Sequence, residues 1–126
     1  MLGDARLTAF VATANATRSK TFYERTLGLR FVGDDSVALV FDANGTELRI
    51  QKVENVQPPP FTVLGWQVAD LRKAMAGLSK RGVKFERYAF LEQDNVGIWL
   101  APGGARVAWF KDPDGNLLSV AQYEAA

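Results

Sequence analysis

Two residue types are missing altogether. The 126-residue chain has no cysteine, which excludes disulfides, thiolate metal sites and a cysteine nucleophile. It also has no histidine, which removes the commonest metal ligand and the side chain that titrates nearest neutral pH. An excess of one charge is missing too. The 15 basic and 14 acidic residues are spread along the chain and leave a formal net charge of +1, so no basic tract points to nucleic acid and no acidic tail to a basic partner. No apolar run approaches the ~20 residues of a membrane span, and Met1-Leu2-Gly3-Asp4-Ala5-Arg6 lacks the charged and apolar regions of a secretory leader. The expected location is therefore the cytoplasm, with no membrane partner. No Ser-centred elbow, Walker loop or dinucleotide fingerprint occurs, and Ala101-Pro102-Gly103-Gly104 lacks the spacing of the last.

What is present is apolar material, 48% of the chain, ample for the core of a single domain over 1–126. The most informative stretch is Val107-Ala108-Trp109-Phe110-Lys111-Asp112-Pro113-Asp114-Gly115-Asn116-Leu117-Leu118-Ser119-Val120. β-branched and aromatic flanks surround Asp-Pro-Asp-Gly, with Pro where its fixed φ is wanted and Gly where φ turns positive, so the stretch reads as a β-hairpin. The same plan occurs earlier at a constant offset of 70, with Val37, Ala38, Asp42, Gly45 and Leu48 matching Val107, Ala108, Asp112, Gly115 and Leu118. Upstream, Asn15 corresponds to Asp70 and Gly28-Leu29-Arg30-Phe31 to Gly82-Val83-Lys84-Phe85 at smaller offsets. The second copy therefore carries an insertion, roughly 88–105.

Each copy reads as β-α-β-β-β. In the first, strands are expected at 6–13, 29–32, 37–41 and 47–53, with a helix capped by Asn15 or Thr17 and ending at Gly28. Residues 54–60, with Pro58-Pro59-Pro60, form a stiff linker between module 1 (about 6–53) and module 2 (about 61–123). In the second, 61–68 and 83–88 read as strands around a helix that Asp70 caps and Gly82 ends. The two hairpin strands follow, and 96–100 offers a short strand within the insertion. The fold class is α+β, with two tandem modules forming a curved mixed sheet around a cup.

Strand alternation sorts the side chains. Ala9, Val11, Leu48 and Ile50 suit the helix side, which leaves Thr8, Phe10 and Ala12, and Glu47, Arg49 and Gln51, on the open side. In module 2, Leu64 and Trp66 oppose Val63, Gly65 and Gln67, while Leu118 and Val120 oppose Leu117, Ser119 and Ala121. A concave open face with a few convergent polar groups is the default ligand site.

The duplicated plan, Phe22-Tyr23, Leu27-Gly28, Gly65-Trp66-Gln67-Val68-Ala69-Asp70 and Phe110-Lys111-Asp112-Pro113-Asp114-Gly115-Asn116 together resemble the vicinal oxygen chelate superfamily. That group includes glyoxalase I, bleomycin-resistance proteins, fosfomycin-resistance proteins and extradiol dioxygenases. The resemblance spans essentially the whole chain. It implies a homodimer and, in the enzymes, a divalent metal held by His, Gln or Glu from four strands. Here those positions fall on Thr8, Arg49, Val63 and Ser119. Val has no lone pair and Arg is a fixed cation, so the chain departs from the metal-binding pattern and neither metal nor cofactor is expected.

Arg49 offers either a bidentate grip on a carboxylate or phosphate, or a surface ion pair with Glu47 or another acid. Among the tryptophans, Trp99 lies in the insertion and suits stacking on a flat ligand, whereas Trp66 and Trp109 suit the core or an interface. Gln93-Asp94 reads as a polar loop. A general base would have to be Glu47, Asp94, Tyr88 or Tyr123, and nothing in the spacing selects one, so no catalytic residue is singled out. The expected function is metal-independent binding of a small anionic or aromatic organic molecule by Thr8, Phe10, Arg49, Gln51, Gln67, Trp99 and Ser119. A metal-dependent lyase or dioxygenase with unusual ligands, and a non-catalytic regulatory or structural subunit, are the alternatives.

Overall fold

The computed structural model describes residues 1–124, and the chain divides into two compact units, Met1–Gln57 and Pro58–Ala126. The first opens with a 3-10 turn, Leu2–Asp4, and then runs β1 (Thr8–Thr13), α1 (Ala16–Thr21), β2 (Arg30–Asp34), β3 (Ala38–Ala43) and β4 (Thr46–Lys52). Its sheet has the order β1-β4-β3-β2, with β1 parallel to β4 and the other pairs antiparallel. The second unit runs β5 (Leu64–Gln67), α2 (Leu71–Lys80), β6 (Trp99–Leu100), β7 (Arg106–Lys111) and β8 (Leu117–Gln122), in the order β5-β8-β7-β6. Each is a four-stranded mixed sheet with one helix. Among the described residues no helix is long and apolar enough to cross a membrane.

Local chemistry explains the element ends. Asn15, rather than Thr17, caps α1, its Oδ1 accepting from the Arg18 amide at 3.1 Å, and Asp70 does the same for Lys73 at 3.1 Å on α2. The helical run expected to reach residue 27 changes character midway, passing into a π turn over Phe22–Thr26, closed by the Leu27 amide on the Phe22 carbonyl at 2.9 Å. Within that wider turn Phe22 and Tyr23 pack edge to face at 5.2 Å, and Tyr23 is wholly buried. The repeated hairpin closes differently in its two copies. Asn44 and Gly45 both have positive φ, as a two-residue hairpin loop requires, whereas in the second copy Gly115 alone does.

The alternation expected of the strands holds. Val11, Leu39, Phe41, Leu48 and Ile50 are buried on the helix side of the first sheet, with Phe41 against Tyr23. Leu118, Val120, Ala108 and Phe110 are buried beside Leu71 and Met75 in the second unit. Removal from water is worth about 1.5–3 kcal/mol for each large side chain, which fixes the register of both sheets.

One strand is absent where the repeat predicts it. Residues 83–88 form no ladder, and their one backbone bond to β7 runs from the Glu86 amide to the Trp109 carbonyl at 2.8 Å. The side chain of Gln93 takes the groups a strand would have paired, accepting from the Tyr88 amide at 2.7 Å and donating to the Glu86 carbonyl at 3.1 Å. The outer edge of β7 is instead taken by β6, whose Trp99 and Leu100 pair with Val107 and Arg106. The module keeps its β-α-β-β-β order because the insertion supplies the missing strand.

In α1, the hydroxyl of Ser19 is buried without a hydrogen-bond partner. Desolvation without compensation is costly, so Ser19→Ala is expected to stabilise the chain by about 1 kcal/mol, read as a rise of a few degrees in thermal melting. A lower melting temperature would mean that the hydroxyl is satisfied in solution.

Candidate functional site

On the first module's open face, the β1/β4 register sets Thr8 beside Glu47, Phe10 beside Arg49 and Ala12 beside Gln51. Phe10 is 57% exposed, a large apolar ring that no helix covers. Arg49 is partnered from within its own module. Its guanidinium donates to the Asp35 carboxylate and lies 3.6 Å from Glu47, and this contact holds the Asp35 carboxyl below its ordinary range. An anionic ligand at Arg49 would have to compete with two resident carboxylates. The ion-pair reading of Arg49 is thus the one the geometry displays.

The second module's open face is assembled from successive cross-strand rows. Gln67, Ala121, Val107 and Trp99 form one; Gly65, Ser119 and Trp109 form the next. Trp109 therefore belongs to this face and not to the helix-side core, where Trp66 is half-buried beside Val120 in the register. The Trp109 indole is edge to face with Tyr88 at 5.8 Å and tilted against Trp99 at 5.8 Å, while Tyr88 touches Phe90 at 5.4 Å. Its Nε1 donates to the Thr62 hydroxyl at 3.0 Å, which fixes the plane of the ring.

Beside these rings the face has a bare floor. A Cβ at Gly65 would lie 2.7 Å from the Ser119 Oγ, so the hydroxyl occupies space that any other residue would fill. Ser119 and the exposed Gln67 thus present a hydroxyl and an amide next to an aromatic cluster. Trp99 and Trp109 are half-buried and Phe90 is 82% exposed, so the cluster retains surface for a further ring.

Gln93 and Asp94 do more than form a polar loop. Besides its bonds to residues 86 and 88, Gln93 donates to the Gly97 carbonyl at 2.9 Å. The Asp94 carboxylate accepts from the amides of Val96, Gly97 and Ile98 at 3.0, 3.1 and 2.9 Å, and from Arg72 on α2 at 2.6 Å. Together they hold the segments that carry Tyr88 and Trp99 on either side of Trp109. Sequence periodicity gives no sign of such side-chain staples.

Two of the general-base candidates, Tyr88 and Asp94, are poorly placed for that role. Burial, with the Glu86 charge adding to it and Lys111 opposing, pushes the Tyr88 phenol above its ordinary value, so it is a neutral donor at physiological pH. Burial raises the Asp94 carboxyl, but its hydrogen bonds and Arg72 outweigh that and hold it ionised and occupied. At the positions that the resemblance assigns to metal ligands, Thr8 in the first module supplies a neutral hydroxyl and Arg49 is a paired cation, while in the second Val63 has no donor atom and Ser119 supplies a neutral hydroxyl.

Comparison with known proteins places this architecture. The family model described as the glyoxalase/bleomycin resistance protein/dioxygenase superfamily matches residues 6–120. No protein of curated function matches at the level of sequence. Among solved structures, a glyoxalase-family protein from Bacillus anthracis superposes with a TM-score of 0.77 at 16% identity, over 96% of both chains. A bleomycin resistance determinant encoded on transposon Tn5 gives 0.75 at 20% identity, over 95% of this chain and 98% of the other. A lactoylglutathione lyase from Agrobacterium tumefaciens gives 0.71 at 13% identity, over 94% and 93%. These similarities extend to the fold and not to the chemistry, which fold alone does not determine. With the family model spanning both modules and the duplicated β-α-β-β-β plan present in each, the chain belongs to the glyoxalase/bleomycin resistance protein/dioxygenase superfamily.

Proposed function

We propose that this protein binds a small, flat aromatic molecule on the open face of its second module, without a metal, and sequesters it rather than transforming it. The observation that carries the reading is the joined cluster of Tyr88, Phe90, Trp99 and Trp109 beside the bare Gly65 and the Ser119 hydroxyl. Aromatic faces supply affinity, and Ser119 and Gln67 supply direction. The anionic alternative at Thr8, Arg49 and Gln51 is weaker because Arg49 already has Asp35 and Glu47. A bleomycin resistance protein is among the structural neighbours, but bleomycin is cationic and a net charge of +1 gives it no long-range attraction. The protein acts as a homodimer in the cytoplasm, and the exposed Phe10, Phe61 and Leu100 provide apolar surface for association.

The test uses untagged protein and 2-naphthamide, a flat neutral probe, against cyclohexanecarboxamide, which is neutral but not planar. Saturable quenching of tryptophan fluorescence is expected with the first and not the second. Trp99→Ala is expected to weaken binding about fivefold to tenfold. Equal binding of both amides would overturn the aromatic reading. Metal content by mass spectrometry after incubation with Mn, Fe, Ni, Co and Zn ions tests the other half: one tightly held ion per chain would restore a metal-dependent lyase or dioxygenase.

A further inference from the structure

The first module carries a concavity of about 280 Å³ on its open face, near the start of β1 and the β3–β4 turn. Its charges are ordered. Thr8, Glu47, Asp42 and Arg30 stand in one cross-strand row over β1, β4, β3 and β2, with Arg6 at the β1 end and Val32 and Val40 as apolar wall.

The row contains an electrostatic conflict. Asp42 and Glu47 are direct cross-strand partners, an arrangement that like charges disfavour. Resident cations relieve it only loosely, with Arg30 at 3.8 Å from Asp42 and Arg49 at 3.6 Å from Glu47. Arg6 has no ion-pair partner among the described residues. Two carboxylates at the centre and an arginine at each side therefore face the same small volume, with no net charge between them. A simple anion would meet the carboxylates and a simple cation the arginines. A molecule carrying both charges a few bonds apart satisfies both.

We propose that this concavity is a binding site for a small zwitterion of the α-amino acid type. The ammonium lies between Asp42 and Glu47, where three N–H donors meet two acceptor groups, and the carboxylate is taken by Arg6, since Arg30 is already engaged with Asp42, with the Thr8 hydroxyl beside it. The apolar remainder of the ligand lies on Val32 and Val40. The volume sits just under the usual range of ligand pockets, which limits the occupant to this size. The site is independent of the aromatic face, and either can fail without the other.

Three probes sharing one skeleton separate the contributions: L-leucine, 4-methylpentanoate, which lacks the amine, and 3-methylbutylamine, which lacks the carboxylate. Amide NMR shifts of the untagged protein are followed at Thr8, Val32, Val40 and Gly45. Leucine is expected to give saturable shifts there, at least about tenfold tighter than either fragment, and to leave Gly65, Ser119 and the Trp99 indole unmoved. Glu47→Gln and Arg6→Ala are each expected to weaken leucine about fivefold or more. The acid binding as tightly as leucine, the amine doing so, or the absence of saturable shifts in module 1 would each overturn the proposal. Shifts of the module 2 signals by 2-naphthamide report separately on the aromatic reading.

Discussion

Asp112→Ala is expected to lower the melting temperature by roughly 10 °C, from a loss of about 3 kcal/mol, whereas Asp42→Ala, at the matching position of the first copy, costs under about 1 kcal/mol. The two aspartates begin the same hairpin turn, but their surroundings differ. Asp112 is 5% exposed, and its carboxylate accepts from the Asp114 amide at 3.0 Å, the Asn116 amide at 2.9 Å and the Asn116 Nδ2 at 2.9 Å. Alanine would take from these three donors the carboxylate they share, two of them on the buried Asn116. Asp42 is half-buried, and its turn bond, from the Gly45 amide at 3.2 Å, is long. There Asn44 and Gly45 hold the two-residue loop through their own backbone preference. Thermal melts of the two variants decide the matter, and equal losses would mean that the carboxylate network does not determine the stability of the second hairpin.

The same comparison shows what a repeat makes legible. The offset of 70 located both hairpins because apolar alternation and turn residues are local, and burial on one face then sets the register. Asn15, Asp70, Gly28 and Gly82 marked helix ends for the same reason: each supplies a cap or a positive φ that a helix terminus needs. The segment from 83 to 98 is not legible in the sequence, because its order comes from side chains bonding to backbone across short, irregular spans, with Gln93 standing in for a strand. Periodicity carries no trace of that. Arg49 falls between these cases. Its place on the open face follows from alternation, but Asp35, which neutralises it, lies in a turn that brings two strands together. For Trp109, size alone suggests the core or an interface. The register with Ser119 places it on the uncovered side of the sheet.

Acid should loosen the insertion before it unfolds the protein. In the native state Asp94 is held below its ordinary value, since the amides of Ile98, Val96 and Gly97 and the charge of Arg72 together outweigh the cost of burial. A carboxyl depressed in this way contributes stability that is fully present above its unfolded pKa and is lost as pH falls through the folded one. Hydrogen exchange of the Val96, Gly97 and Ile98 amides, corrected for intrinsic rates, is therefore expected to hold steady from neutral pH to about pH 4 and to speed up below it. Asp94→Ala should produce the open state at every pH. Losing its amide bonds and its contact with Arg72 costs about 2 kcal/mol locally, or roughly a thirtyfold acceleration of those amides at pH 7. Trp99 follows Ile98 directly, so the loosened segment also releases the ring that completes the aromatic face, and Asp94→Ala is expected to weaken 2-naphthamide without touching it. Lys73→Ala, on the exposed side of α2, should change neither reading. Exchange at 96–98 that is equally fast in both proteins would remove Asp94 as the staple of the insertion. A slow, pH-independent pattern in the wild type would show that Gln93 alone holds it.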